Sequence, residues 1–102
     1  MEYTQENAIE TFKQMGGVGR LKAMIGAQNF TYSTDDSYAC FKFKLSKAFN
    51  YVQVKLNSMD TYDVTFMKIW GIDIKKTETI EGVYNDQLIG LFEQKTGLYL
   101  SL

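Results

Sequence analysis

The sequence predicts an α+β domain: an antiparallel four- to five-stranded meander sheet, with N-terminal helices and a C-terminal helix packed on one face of it. Three observations predict this. First, Val52, Val54 and Leu56 alternate with Gln53 and Lys55, and after a break at Asn57-Ser58-Met59-Asp60, Tyr62, Val64 and Phe66 alternate with Asp63 and Thr65. Period-2 alternation of β-branched and aromatic residues against polar ones marks strands with one buried face, and it leaves little freedom of register. Second, the two ends of the chain carry apolar stripes at helical spacing. Third, the connections are short, which makes neighbouring strands antiparallel and leaves the terminal helices to cover a face of the sheet.

Thr4 to Met15 reads as the first helix, capped by Thr4, with Ala8, Phe12 and Met15 on one stripe that Ile9 widens. Gly16-Gly17 stops it. Val18 to Ile25 is a short second helix or helical turn with Leu21, Met24 and Ile25 on one side, ended by Gly26. Phe30 to Ser33 is a short strand, and Thr34-Asp35-Asp36-Ser37 a polar turn. Tyr38 to Leu45 is the next strand, with Phe41, Phe43 and Leu45 on one face and Lys42 and Lys44 on the other. The central hairpin follows. Gly71 reads as a bulge or tight turn inside a strand pattern that continues through Ile72 and Ile74. The last helix is expected from about Gly82 to Thr96, with Tyr84, Leu88, Leu91 and Phe92 on its stripe and Gly97 just past its end. Leu98 and Leu100 are expected to pack back on the sheet.

A chain of 102 residues with 45% hydrophobic and 15% aromatic content supplies one packed core, so residues 1–102 form a single domain. The formal net charge of −1 gives no field that steers the chain toward nucleic acid or an anionic membrane. Arg20 is the sole arginine, which counts against a dedicated reader of DNA bases. The opening residues lack the hydrophobic run of a signal peptide, and no apolar stretch reaches the roughly 20 residues that span a bilayer. With Cys40 the sole cysteine, no internal disulfide forms, which fits a reducing bacterial cytoplasm.

The chain contains no histidine, so Ser-His-Asp and Cys-His arrangements cannot be built. One cysteine and no histidine exclude ordinary zinc sites. Gly16-Gly17-Val18-Gly19-Arg20 lacks the preceding strand and the Lys-Ser/Thr ending of a phosphate loop, and reads as a helix–helix corner. Asp35, Asp36 and Asp60 read as turn residues and Asp63 as an exposed strand residue. Cys40 beside Lys42 reads as structural rather than reactive. The expectation is a protein without catalytic residues, metal or cofactor.

If the aromatic and β-branched set faces the helices, Lys42, Lys44, Tyr51, Gln53, Lys55 and Met67 face away with Asp63 and Thr65. Such a face is either plain solvated surface, a protein-binding surface, or a lysine-and-tyrosine platform for single-stranded nucleic acid. Continuing the alternation puts Lys68 inward and Met67 and Ile69 outward. That requires either a bulge near Met67 or a second face covered by a partner, another copy of the chain included. Lys42, Lys44, Tyr51, Gln53, Lys55, Met67 and Ile69 are therefore the candidate partner-binding residues. Trp70 reads as core, with an interface role as the alternative.

Gly16-Gly17 through Met24-Ile25-Gly26-Ala27-Gln28-Asn29-Phe30, Tyr51 through Tyr62-Asp63-Val64-Thr65-Phe66, Val83-Tyr84-Asn85-Asp86-Gln87-Leu88 and Thr96-Gly97-Leu98-Tyr99 together resemble a family of small uncharacterised proteins encoded by bacteriophages, prophages and other mobile elements. The likeness covers most of the chain after about Gly16, and its motifs carry no chemistry. It implies a genomic context. By analogy of size and context, it implies an accessory protein that binds and modulates a host or phage protein, such as an inhibitor of host defence of the anti-CRISPR kind. The alternative is a nucleic-acid-binding accessory protein that uses the lysine-and-tyrosine face.

Overall fold

Helix α1 (Gln5–Gln14) starts where the sequence places it, because Thr4 and Asn7 close a reciprocal cap: the Asn7 N–H donates to Thr4 Oγ1 at 3.3 Å and the Thr4 N–H to Asn7 Oδ1 at 2.8 Å. The computed structural model describes residues 4–44, 46 and 48–98 of the chain. Helix α2 (Val18–Ile25) follows, then β1 (Gln28–Ser33), β2 (Tyr38–Lys42), β3 (Tyr51–Leu56), β4 (Tyr62–Trp70), β5 (Asp73–Val83), a single 3₁₀ turn (Asn85–Gln87) and α3 (Leu88–Thr96). The five strands lie in chain order, each antiparallel to the next. This is the expected meander with all five strands present.

The helices share one side of the sheet. Ala8, Phe12 and Met15 of the first helical segment, Leu21 and Ile25 of α2, and Leu88 and Phe92 of α3 join Ala39, Phe41, Val52, Val54, Val64 and Phe66 of the sheet in one buried cluster. The Phe92 ring sits 6.2 Å from Phe41, 5.0 Å from Phe43 and 6.1 Å from Phe66, and Phe12 packs edge-on to Phe30 at 5.2 Å. Full burial of side chains of this size stabilises the fold by about 1.5–3 kcal/mol each. Ile9 does not widen the α1 stripe: it is exposed, and the buried neighbour is Thr11, whose hydroxyl is satisfied by the Asn7 carbonyl.

The structure corrects two boundaries and the placement of Trp70. Strand β2 ends at Lys42, not Leu45. Phe43 still packs in the core, but the Lys44 N–H donates to the Ile25 carbonyl at the end of α2. Leu45 lies outside the described residues, as does Leu100, while Leu98 packs against the core. The second correction is the last helix. Residues 82–84 complete β5 and the entry to the 3₁₀ turn, so the helical stripe is Leu88, Leu91 and Phe92, and Tyr84 stands exposed. Gln87 terminates the strand: its side-chain carbonyl accepts the Tyr84 N–H at 3.1 Å.

The third correction concerns Trp70. Strand β4 keeps its alternation through Phe66 and then, with β5, runs past the edge of the core as a two-stranded projection. Gly71 and Ile72 form its two-residue loop between paired Trp70 and Asp73. Gly71 has φ 65°, the positive value that the first position of a type II′ hairpin turn demands. Trp70 is therefore not core. It stands 69% exposed, with Ile72 at 100% and Ile74 at 59%.

Both edges of the sheet are irregular. The register of β4 and β5 slips twice, once between Tyr62 and Val64 and once between Lys68 and Ile69, and in each case the extra residue is on β5. Gly82, with φ 70°, takes the first slip, where its N–H reaches Asp63 Oδ1 at 3.3 Å. On the opposite edge, β1 slips between Gln28 and Thr31 around Asn29, whose φ is 57°. The bulge suspected near Met67 thus belongs to the partner strand. None of the described helices is long and apolar enough to cross a membrane.

Candidate functional site

With the helices on one side, the register defines the other face row by row. Ser33, Tyr38, Lys55 and Asp63 form one row across four strands, and Thr31, Cys40, Gln53, Thr65 and Thr79 the next. Lys42, Tyr51, Met67 and Thr77 form the third, and Ile69 faces Ile74 in the last. Side chains directly opposite one another across antiparallel strands stand about 5 Å apart, so each row is a contiguous surface.

The structure brings together six of the seven candidate residues. Lys42, Tyr51 and Met67 are neighbours in one row, with Gln53 on one side and Ile69 on the other. Lys55 shares the face but sits farther off, opposite Asp63. Lys44 is not part of the group. It lies beyond the end of β2, next to Gly26 at the end of α2.

The apolar middle of the face is half-buried by its own neighbours: Tyr51, Gln53, Met67 and Ile69 are all intermediate in exposure. Cys40 is buried to 3% exposure even though it points to the helix-free side, and its thiol lies 2.9 Å from Thr31 Oγ1. Buried and already partnered, it is a packing residue. Burial, together with the adjacent Cys40 thiol, pushes the Tyr51 phenol well above its ordinary pKa, so Tyr51 is a neutral group on this face. Thr65 and Thr79 share a hydroxyl hydrogen bond at 3.1 Å.

Asn50 fixes the foot of the projecting hairpin to this face. Its amide donates to the Ile69 carbonyl at 2.8 Å and its side-chain oxygen accepts the Ile69 N–H at 2.8 Å. One side chain thereby imitates a further ladder pair just before β3 begins. Lys42, Asn50, Tyr51, Ile69 and Gly71 surround a hollow of about 230 Å³ there. It combines one cation, one phenol and an aliphatic wall.

Asp63 is half-buried rather than exposed, and its carboxylate accepts from Asn57 Nδ2 at 3.0 Å and from the Gly82 N–H. Both contacts are structural. Among the described residues no group of three His, Cys, Asp or Glu side chains is placed to hold a metal ion.

Trp70, Ile72 and Ile74 are exposed apolar residues that alternation alone does not reveal. Alternation assigns a side of the sheet to each residue but says nothing of how far a strand outruns its core. The Gly71 turn between apolar neighbours was the available signal. Comparison of the chain by sequence and by structure finds no matching family model, no matching curated protein and no matching solved structure.

Proposed function

We propose that the chain is a non-enzymatic accessory protein that binds another protein through the helix-free face of its sheet and modulates it. The observation that carries this reading is the row Lys42–Tyr51–Met67, continued by Ile69 and Ile74, on a face that none of the described helices covers. Neutral, half-buried aromatic and thioether groups with one flanking cation are typical of a protein interface centre, where Tyr and Met are enriched and charge is sparse. The sheet edges support the same choice. Bulges on β1 and β5 obstruct continued strand pairing, which leaves the face rather than an edge for docking.

The partner that fits is a protein surface with an apolar strip opposite Tyr51, Met67 and Ile69 and a carboxylate opposite Lys42. The resemblance to proteins of phages and mobile elements makes a host or phage protein in the bacterial cytoplasm the natural partner, and inhibition of a host defence, as by anti-CRISPR proteins, the natural consequence. Affinity capture from nuclease-treated host lysate tests this, with Met67→Asp as the paired control. The expected result is a protein retained by the wild type and lost by Met67→Asp, while circular dichroism shows the variant still folded. Equal recovery by both would refute the assignment of the face.

The second reading, binding of single-stranded nucleic acid, draws on the placement of Lys42, Tyr51 and Lys55 on this same face. It is the weaker one, because Asp63 stands opposite Lys55 and offsets its charge. Binding that falls steeply with salt and is lost in Lys42→Glu would favour it.

A further inference from the structure

The two ends of the β4–β5 hairpin are complementary to each other. At the projecting tip, Trp70, Ile72 and Ile74 are exposed side chains on a turn held by Gly71 and by the paired hydrogen bonds of Asn50 to Ile69. Between Met67 and Thr77 the charged residues are Lys68, Asp73, Lys75 and Lys76, a net +2 in a chain whose total is −1. Asp73 lies 3.7 Å from Lys75, and Lys76 sits over the Phe49 ring. The opposite end presents an open groove of about 500 Å³ whose lining includes Met59, Asp63, Glu81 and Tyr84. Met59 is 79% and Tyr84 60% exposed. Segments 57–63 and 81–87 contain Asp60, Asp63, Glu81 and Asp86 and no lysine or arginine, with Lys55 across the sheet from Asp63 as an offset.

An apolar tip with a cationic surround and a groove with apolar walls and carboxylates are the two halves of one contact. They cannot meet within one molecule. The nine residues of β4 separate them, roughly 30 Å at about 3.3 Å per residue. We propose that the chain assembles head to tail: the Trp70–Ile74 tip of one copy seats in the Met59–Tyr84 groove of the next. The groove volume lies within the range of about 300–1,000 Å³ of clefts that take up drug-sized ligands, room enough for the side chains of the tip. The tip enters pre-shaped, so little loop ordering opposes binding. A contact between two different surfaces of the same chain propagates into open chains or closes into a ring. A lipid surface suits the tip less well, because the Asp73 carboxylate lies between Ile72 and Ile74 and would be carried into the apolar layer with them. Two tips meeting symmetrically would oppose like charge.

The test uses the full chain in sedimentation velocity over a wide concentration range. The wild type is expected to form species larger than a monomer, which diminish as salt is raised. Ile72→Asp spoils the tip at a fully exposed position, and Met59→Asp with Glu81→Lys spoils the groove; each variant is expected to remain monomeric. Mixed together, they retain one intact tip and one intact groove between them, and the mixture is expected to stop at a two-chain complex. A symmetric tip-to-tip contact would instead leave the groove variant dimeric on its own, and would overturn the proposal. A wild type that stays monomeric at millimolar concentration would overturn it as well, whether or not the tip then sediments with anionic vesicles.

Discussion

Asn57 holds the β3–β4 turn almost alone. Its amide donates to Thr61 Oγ1 at 2.8 Å and to Asp63 Oδ1 at 3.0 Å, and its side-chain oxygen accepts the N–H groups of Met59 at 2.9 Å and Thr61 at 3.2 Å. Asp60 completes the turn with φ 60°, a conformation that Asp tolerates better than most residues. Replacing Asn57 by Ala strands several of these groups, Thr61 among them at 8% exposure, and is expected to cost about 2 kcal/mol in urea unfolding. Ser58→Ala beside it, an exposed position, is expected to stay within about 0.5 kcal/mol. Tyr51 supplies a second residue-scale expectation. Its phenol is neutral in the fold to a higher pH than in the unfolded chain, so its contribution is complete below the ordinary tyrosine pKa of about 10 and is lost as pH rises beyond it. Ultraviolet titration should show a late-ionising phenol that disappears in Tyr51→Phe, and that variant should lose less stability at alkaline pH than the wild type.

At the scale of elements, the β4–β5 hairpin separates two fates for aromatic residues on the same strand. Phe66 is fully buried against Phe49 at 5.4 Å and Phe92 at 6.1 Å, and Phe66→Ala is expected to cost about 3–5 kcal/mol. Trp70, four residues on, lies beyond the core, and Trp70→Ala is expected to change stability by no more than about 0.5 kcal/mol. A loss of several kcal/mol at Trp70 would show that the tip packs on the body of the protein. The contrast also explains what was legible in the sequence. The hairpin, the capping Thr4 and the inward set Phe41, Val52, Val54, Val64 and Phe66 follow from periodicity, because burial on one face writes itself into alternation. The length of β5 does not. Its residues from Asp73 to Val83 are mostly charged or Thr on both faces, as suits an edge strand that the core hardly touches, so its pattern is nearly silent. The start of α3 was hidden for a related reason: Tyr84 falls at helical spacing from Leu88 yet serves as the entry to a 3₁₀ turn.

At the scale of the whole molecule, the three described helices lie on one side of the sheet, and none of them covers the other. Antiparallel sheets tolerate this well, provided that the open face is polar. Here it is polar at the Thr31–Thr79 row and apolar at Tyr51, Met67 and Ile69. The candidate residues were legible from alternation because register determines which side chains share a face. Their grouping was not, since it depends on which residues of distant strands stand opposite one another, and Lys44 dropped out because β2 ends early. The most direct test of binding through this face is hydrogen–deuterium exchange of the chain with and without the protein it captures. Slowed exchange confined to residues 51–55 and 63–69 is the expected result. Slowed exchange on α1 or α3, with those strands unchanged, would contradict it.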